Sequence, residues 1–308
     1  MNKTLTTLFL LLSIPFISYG QGYVSTDYLS SSSFKDDNGN KYGSGNLMIL
    51  SGRYTLPISA KQNDAGQITA WTATLNCRYG ILNNEAEATK LNPDNILNSS
   101  INISHIRPIT EKWSVLASLG CGVYAAPNDV TLKSILANGA VVFVYKLRDN
   151  LSIGIGAGLT NSYGIPMILP MGYLNWQSSG KYEIKVDMSS GLNISASTWI
   201  TKKIKVEFTA LEIDGMSSVM DINGKSKIYS TMMMKSYASP SFHISKQASI
   251  YLGIGGNWLR STKISDRSLK GFFDSFKDDE NKYQFGVSLR LMAGVRFCLL
   301  YTSPSPRD

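Results

Sequence analysis

The feature that most constrains this chain is a long alternation of side chains near its C-terminal end. Odd positions from Tyr283 to Phe297 are apolar, whereas the even positions between them are mostly small, polar or basic. Successive side chains of a β-strand point to opposite faces, so this pattern predicts a single strand. Soluble strands average about five or six residues, whereas a tilted membrane strand needs about nine to eleven. The run therefore favours a strand that spans a membrane.

The same period of two recurs upstream, in residues 70–79, 151–160, 182–188 and 204–209. In each run one face is apolar and the other is small, polar or charged, as expected for lipid outside and a polar lumen inside. After residue 20, no apolar run approaches the roughly 18 residues of a membrane helix. Only helices and closed barrels satisfy every backbone hydrogen bond within lipid. The predicted fold is therefore all-β, a closed antiparallel transmembrane β-barrel.

The spacing of turn-forming residues predicts the number of strands. Short turns are predicted near residues 110–112, 148–150, 178–180, 201–203 and 245–247, with a slightly longer one at 57–66. Longer polar connections are predicted at residues 30–41, 83–95, 214–227 and 262–282. Short turns on one side and long loops on the other are typical of outer-membrane barrels. Strands laid between these points number about 14, with about 12 as the alternative, and an even number would place both termini in the periplasm.

Both ends of the sequence are interpreted separately from the barrel. Residues 1–20 are predicted to be a cleaved signal peptide, because Lys3 precedes an apolar run and the small residues Ser18 and Gly20 follow it. The barrel is then assigned to residues 21–297. Residues 298–308 break the preceding pattern and are interpreted as a translated sequencing adapter or a disordered Ser/Pro tail. The predicted location is the outer membrane of a Gram-negative bacterium.

The assembled pattern resembles a family of outer-membrane β-barrels known only as a domain of unknown function. The resemblance lies in residues 107–113, in residues 151–158 and in the closing strand from Tyr283 to Phe297. It covers nearly all of the chain after the signal peptide and implies the fold and the location, with no catalytic or binding residues to carry over. A terminal strand ending in Phe297 also resembles the signal that barrel-assembly machinery recognises, which makes that machinery an expected partner.

Several groups of residues resemble nucleotide-binding, calcium-binding or catalytic motifs but lack the context that such motifs need. The glycines of residues 154–158 and 253–256 lie within strands, whereas nucleotide-binding glycines open a helix. The acidic residues 36–40 and 278–280 lack the spacing of a calcium loop. The two histidines, His105 and His243, have no evident catalytic partners. The sequence therefore predicts no enzyme activity, no cofactor and no metal site.

Charged residues on the polar faces of the strands are the candidate functional residues. They are expected to line the lumen: Arg78, Glu183, Lys185, Asp187, Lys205, Glu207, Arg290 and Arg296. Their mixed signs favour ion pairs across the lumen, because a selective anion pore would show a ring of net positive charge. Simple side-chain packing of a closed barrel is favoured over a functional role for these residues.

Three classes of function remain open from sequence alone. The first is an outer-membrane barrel that acts as a porin-like passive channel, a transporter of lipophilic molecules or a structural surface protein. The second is a soluble periplasmic or secreted β-sandwich that binds a ligand, and the third is an outer-membrane enzyme. The formal charge of +8 is scattered among strands and turns, so nucleic acid is not an expected partner. Basic residues at barrel rims would instead meet anionic lipid or lipopolysaccharide.

Overall fold

The computed structural model describes residues 20–64, 66–178, 180–188, 191–277 and 283–298. The predicted signal peptide up to residue 19 and the tail beyond Cys298 lie outside the described residues. Antiparallel strands dominate the rest: β1 (Gln21–Asp36), β2 (Lys41–Gln62), β3 (Ile68–Ala86), β4 (Asn95–Pro108), β5 (Trp113–Ala125), β6 (Ile135–Arg148), β7 (Leu151–Thr160), β8 (Met167–Ser178), β9 (Glu183–Asp187), β10 (Leu192–Trp199), β11 (Ile204–Ile222), β12 (Lys225–His243), β13 (Ala248–Asp266), β14 (Tyr283–Phe285) and β15 (Ser288–Cys298).

The strands close into a barrel. Consecutive strands pair antiparallel from β1 to β13, and both β14 and β15 pair with β1 on one side and with β13 on the other. Because β14 and β15 occupy one position, the 15 segments form a ring of 14 strands. The predicted count of 14 is confirmed, and the alternative of 12 is wrong. The pairing of Gln21 with Cys298 places both ends of the barrel chain together. We call this side the terminal end and the opposite side the distal end.

Short helical segments lie in the distal connections. They are α1 (Ala88–Leu91), two 3-10 turns (Pro127–Asp129 and Leu132–Ser134) and α2 (Leu269–Lys277). Within the described residues, no helix is long and apolar enough to cross a membrane.

The outer face of the barrel is apolar, as the alternation predicts. Leu289, Leu291 and Val295 of β15 are exposed on the outside, while their neighbours Ser288 and Arg290 are buried inside. Aromatic rings meet on the outer surface near the terminal end, where Trp113 packs on Tyr145 with ring centroids 4.9 Å apart. Amphipathic rings of this kind sit at the level of lipid head groups. The barrel therefore presents an apolar belt with an aromatic border to the membrane.

Two of the predicted long loops are wrong, because the strands continue through them. β1 extends to Asp36 and β2 begins at Lys41, which leaves a short turn in place of the loop predicted at 30–41. β11 extends to Ile222 and β12 begins at Lys225, so these two strands replace the loop predicted at 214–227. Asn223 and Gly224 alone join them, with φ angles of 55° and 76°. Positive φ at both positions is the geometry of a tight hairpin turn, for which Asn-Gly is the favoured dipeptide.

The barrel wall is uneven in height. β9 has 5 residues and β10 has 8, whereas β11, β12 and β13 have 19 each. The pairing of β10 with β11 ends at Leu192 and Ile213. The distal part of β11, from Asp214 to Ile222, is therefore paired only with β12. Below, we call this part of β11 the crossing segment.

Candidate functional site

The crossing segment lies across the lumen. Its unpaired edge meets two side chains of the opposite wall: Arg78 Nη1 donates to the Gly215 carbonyl at 2.9 Å, and Asn98 Nδ2 donates to the Ser217 carbonyl at 2.6 Å. The Ser217 amide donates in return to Asn98 Oδ1 at 3.1 Å. In the ring of strands, β4 is seven positions from β11 in either direction. These bonds therefore span the barrel and divide its distal lumen into two lobes.

The first lobe lies between the crossing segment and strands β12, β13, β14, β1, β2 and β3, together with the distal start of β4, and we call it the core lobe. It is filled by a buried apolar cluster: Leu29, Leu47, Ile49, Leu82, Ile96, Met216, Tyr229 and Met233. Gly80 makes room for Met216, since a Cβ at Gly80 would lie 3.3 Å from its sulfur. Burying each such side chain stabilises the fold by about 1.5–3 kcal/mol. This apolar packing fills the distal half of the core lobe in the described part of the chain.

A layer of buried ion pairs lies beneath the apolar cluster, on the side of the terminal end. Arg290 is 2% exposed and binds both carboxylate oxygens of Asp27, at 2.6 and 2.8 Å. Its third contact is with Glu212 at 3.1 Å. Such a two-pronged pair fixes the arginine in orientation as well as in position. Arg290 thus ties β15 to β1 and, through Glu212, to β11.

The same layer continues to the opposite wall. Lys235 is 1% exposed, and its ammonium lies 2.8 Å from both Glu212 and Asp214. Asp214 in turn pairs with Arg78 at 2.8 Å. Three basic and three acidic residues therefore form one connected chain from β1 to β3, through β15, β11 and β12. Arg290 and Lys235 are almost completely buried, so an unpaired charge at either residue would be costly.

A cavity open toward the terminal end lies below the ion layer, and we call it the vestibule. Its outer part has a volume of about 690 Å³ and is lined by Arg53, Thr55, His243 and Arg296, among others. An inner part of about 320 Å³ shares Tyr23 and Arg296 with it and extends to the ion layer. The vestibule therefore admits solutes from the terminal end as far as the ion layer.

The second lobe lies between the crossing segment and strands β4 to β10, and we call it the side lobe. The chain following β13 reaches over its distal mouth. Arg267 donates to the carbonyls of Ser162 and Lys133, each at 2.8 Å, and to that of Asn161 at 3.3 Å. The ring of Phe272 on α2 meets Tyr163 edge-on, with centroids 5.1 Å apart. Partial burial lowers the pKa of Arg267, a cost that its contacts with three backbone carbonyls offset.

The structure places the eight predicted lumen residues on inward-facing positions of their strands. Arg78 and Arg290 belong to the buried ion layer. Glu183 pairs with Lys205, and Lys185 lies 3.4 Å from Asp187, so these four form local pairs on the inner wall. Glu207 faces inward opposite Ser239, and Arg296 lines the vestibule.

Sequence reasoning missed four members of the ion layer: Asp27, Glu212, Asp214 and Lys235. Asp214 had been assigned to a loop, and Lys235 follows three methionines that obscure the alternation. Asp27 and Glu212 could have been identified by the pattern that identified the eight predicted residues, because each is a charged residue within a strand. Arg53 on the inner face of β2 was missed as well.

The described residues offer little for catalysis or metal binding. His105 stacks on Trp71, with ring centroids 4.1 Å apart, and His243 packs against Trp199. Cys77 and Cys121 are free thiols on exposed positions. No group of three or more His, Cys, Asp or Glu residues in the described part of the chain is arranged to hold a metal ion.

Comparisons with known proteins give one family and several remote structural similarities. A model of the family DUF6268, described as a domain of unknown function, matches residues 17–298. A search of curated proteins finds no match. The chain is similar to the COG4313 outer membrane channel of Pseudomonas putida F1, at 9% identity and a TM-score of 0.46, covering 92% of this chain and 97% of that one.

Two further solved structures show the same kind of similarity. The toluene transporter TodX of P. putida is 10% identical with a TM-score of 0.35, over 91% of this chain and 90% of that one. The NanC porin is 8% identical with a TM-score of 0.31, over 90% of this chain and 98% of that one. These similarities are too remote to carry an argument, and the closed barrel follows from the strand pairing of this chain itself.

Proposed function

The chain belongs to the DUF6268 family, a domain of unknown function, and we propose on this premise that it is a gated channel of the outer membrane. The supporting observation is that the vestibule is open to the terminal end but ends at the ion layer and the crossing segment. Both are held in place mainly by side-chain contacts. The edge of the crossing segment is bound by Arg78 and Asn98, where a neighbouring strand would supply a backbone ladder. Side-chain contacts of this kind can be released without unfolding the barrel.

Three features support the location. The outer face is apolar, the ring has an even number of strands, and both barrel ends lie on one side, as in single-chain outer-membrane barrels. The predicted signal peptide would deliver the chain across the inner membrane. The proposal assigns no catalytic role to the protein.

Conductance in planar bilayers tests the gate. The wild-type protein should show only rare or brief current steps, because both distal lobes are closed. Arg78→Ala combined with Asn98→Ala removes the three hydrogen bonds to the backbone of the crossing segment and the ion pair of Arg78 with Asp214, and Arg267→Ala releases the chain over the side lobe. Each variant should increase the open fraction by at least about tenfold, since the loss of one such charge-assisted bond is worth about 1.5–3 kcal/mol.

A matched control and a folding check make this test decisive. Lys225→Ala changes an exposed residue beside the distal hairpin turn and should leave the currents unchanged. All proteins are first required to show heat-modifiable migration, which reports a folded barrel. Stable large currents in the wild type would contradict the closure, and folded but silent gate variants would contradict the gate in favour of a structural barrel.

A second candidate, transport of an apolar molecule, is favoured by the lining of the side lobe. A pocket of about 390 Å³ on the inner wall of β5 to β8 is bordered by Ala140, Gly158, Leu169 and Met171. An apolar fluorescent probe such as N-phenyl-1-naphthylamine should then bind saturably to the protein, and Ala140→Arg should abolish that binding. Equal probe fluorescence with both proteins, after subtraction of the detergent signal, would remove this candidate.

A further inference from the structure

The outer part of the vestibule has an excess of positive charge. Its basic lining residues are Arg53, Lys185, Lys246 and Arg296, and among the described residues no acidic one lines it. Lys185 is partly neutralised by Asp187, at 3.4 Å. The next acidic group on the inner wall, Glu183, is engaged by Lys205. The two arginines and Lys246 therefore give this part of the cavity its positive charge.

Arg53 and Arg296 are placed to act together. Both are paired with Tyr23, one from β2 and the other from β15, so they flank a single inward-facing tyrosine. Neighbouring strands are about 4.8 Å apart, which puts the two backbones about 10 Å apart. Side chains as long as arginine can converge over that distance. The Arg296 guanidinium already lies 4.9 Å from the centroid of the Tyr251 ring, which orients it.

Neither guanidinium has a carboxylate partner among the described residues, in contrast with Arg290 and Arg78 of the ion layer. The walls of the cavity are protein, so the field of the two charges is less screened there than on an open surface. Thr55, Thr74 and Ser249 add neutral donors on the same wall. A volume of about 690 Å³ suits a small organic molecule.

We propose that the vestibule binds small soluble oxyanions, held between Arg53 and Arg296 with Tyr23 as a third donor. The ligand class comprises solutes that carry a phosphate or a carboxylate, because planar guanidinium groups match both. This inference names the substrate class of the proposed channel and in that sense rests on the proposed function. Binding at the vestibule would select such solutes before they reach the gate.

Isothermal titration of the purified protein in detergent at low ionic strength tests the site, with inorganic phosphate and succinate as separate probes. The wild type should bind at least one of them saturably at one site per chain, and binding should weaken as chloride is added. Arg53→Gln and Arg296→Gln should each weaken binding by about tenfold or more, since each removes charge-assisted bonds. Lys225→Gln, which removes an equal charge at the distal end, should change it by less than about twofold.

The possible outcomes separate the two proposals. Tighter binding of phosphate or of succinate identifies which oxyanion the vestibule prefers. No saturable binding of either probe by the wild type, or equal binding by Arg53→Gln/Arg296→Gln, would overturn the site. Binding at equilibrium does not require the gate to open. Conducting gate variants without anion binding would therefore refute only this inference, whereas anion binding with silent gate variants would refute only the channel.

Discussion

Replacing Arg290 by alanine should lower the free energy of unfolding by about 3–5 kcal/mol, because Asp27 loses the cation that binds both its oxygens and Glu212 loses one of its two cations in a largely buried layer. Arg290 binds Asp27 through two bonds and Glu212 through a third. Arg290 is 2% exposed, so its contacts with the two carboxylates are largely shielded from water. The measurement is equilibrium unfolding in urea after folding into detergent, followed by heat-modifiable migration.

The control for this result is an exposed ion pair of the same chain. Lys90 contacts Glu87 at 2.9 Å on the surface of the β3–β4 connection, with 73% of its side chain exposed. Lys90→Ala should therefore cost less than about 1 kcal/mol. If Arg290→Ala and Lys90→Ala have the same effect on unfolding, the ion layer does not stabilise the barrel.

Arg290→Lys separates the effect of charge from the effect of geometry at the same site. Lysine keeps the charge but lacks the planar fork that binds both oxygens of Asp27. We expect a loss of stability between those of the wild type and Arg290→Ala. A lysine variant as unstable as the alanine variant would show that geometry, more than charge, holds the layer together.

Leu291→Arg should impair insertion into lipid and lower stability by about 2–4 kcal/mol, the cost of an arginine on the lipid face at the middle of the membrane. Leu291 is 43% exposed on the outer face, near the middle of the closing strand. The yield of folded protein in lipid vesicles of defined thickness measures insertion. The unfolding midpoint measures the change in stability.

The neighbouring residue supplies a matched control on the same strand. Met292 points inward and lines the inner part of the vestibule, opposite Asp27 on β1. Met292→Arg places the same charge in a polar cavity beside a carboxylate, so its folded yield should exceed that of Leu291→Arg. Equal yields would contradict the assignment of faces. Ser288 makes a poorer control, because it is 6% exposed and packed inside the barrel.

Much of the fold could be predicted from local pattern. The alternation from Tyr283 to Phe297 assigned Leu291 to the outside and Arg290 to the lumen, because side-chain direction within a strand depends only on parity. It was wrong for Phe285, which is 1% exposed and packs against Phe34 inside the barrel, because the run is broken between Phe285 and Ser288 into two strands. The short turns at the terminal end were also visible as polar breaks between strands. The Asn223-Gly224 turn was missed although its signal is a strong one, because the polar residues around it resembled a loop.

The division of the lumen could not be predicted in this way. It depends on β9 and β10 being short, which leaves one edge of β11 without a neighbouring strand. Nothing local to the crossing segment shows that Arg78 and Asn98 will take the place of that neighbour. Arg78 and Asp214 are 136 residues apart in the chain, and Asp27 and Arg290 are 263 apart.

The sequence by itself determined the β class, the membrane-facing side of the unbroken alternating runs and the presence of charges in the lumen. These properties follow from the two-residue alternation of side-chain direction along a strand, which is visible in any short segment of the sequence. Only the tertiary structure decided which charges meet, that the core lobe is filled and that the vestibule keeps two arginines with no carboxylate partner in the part of the chain that the structure describes. The physical reason is that closure of the ring and the stagger of its strands set the height of each inward side chain, and these are properties of the whole barrel.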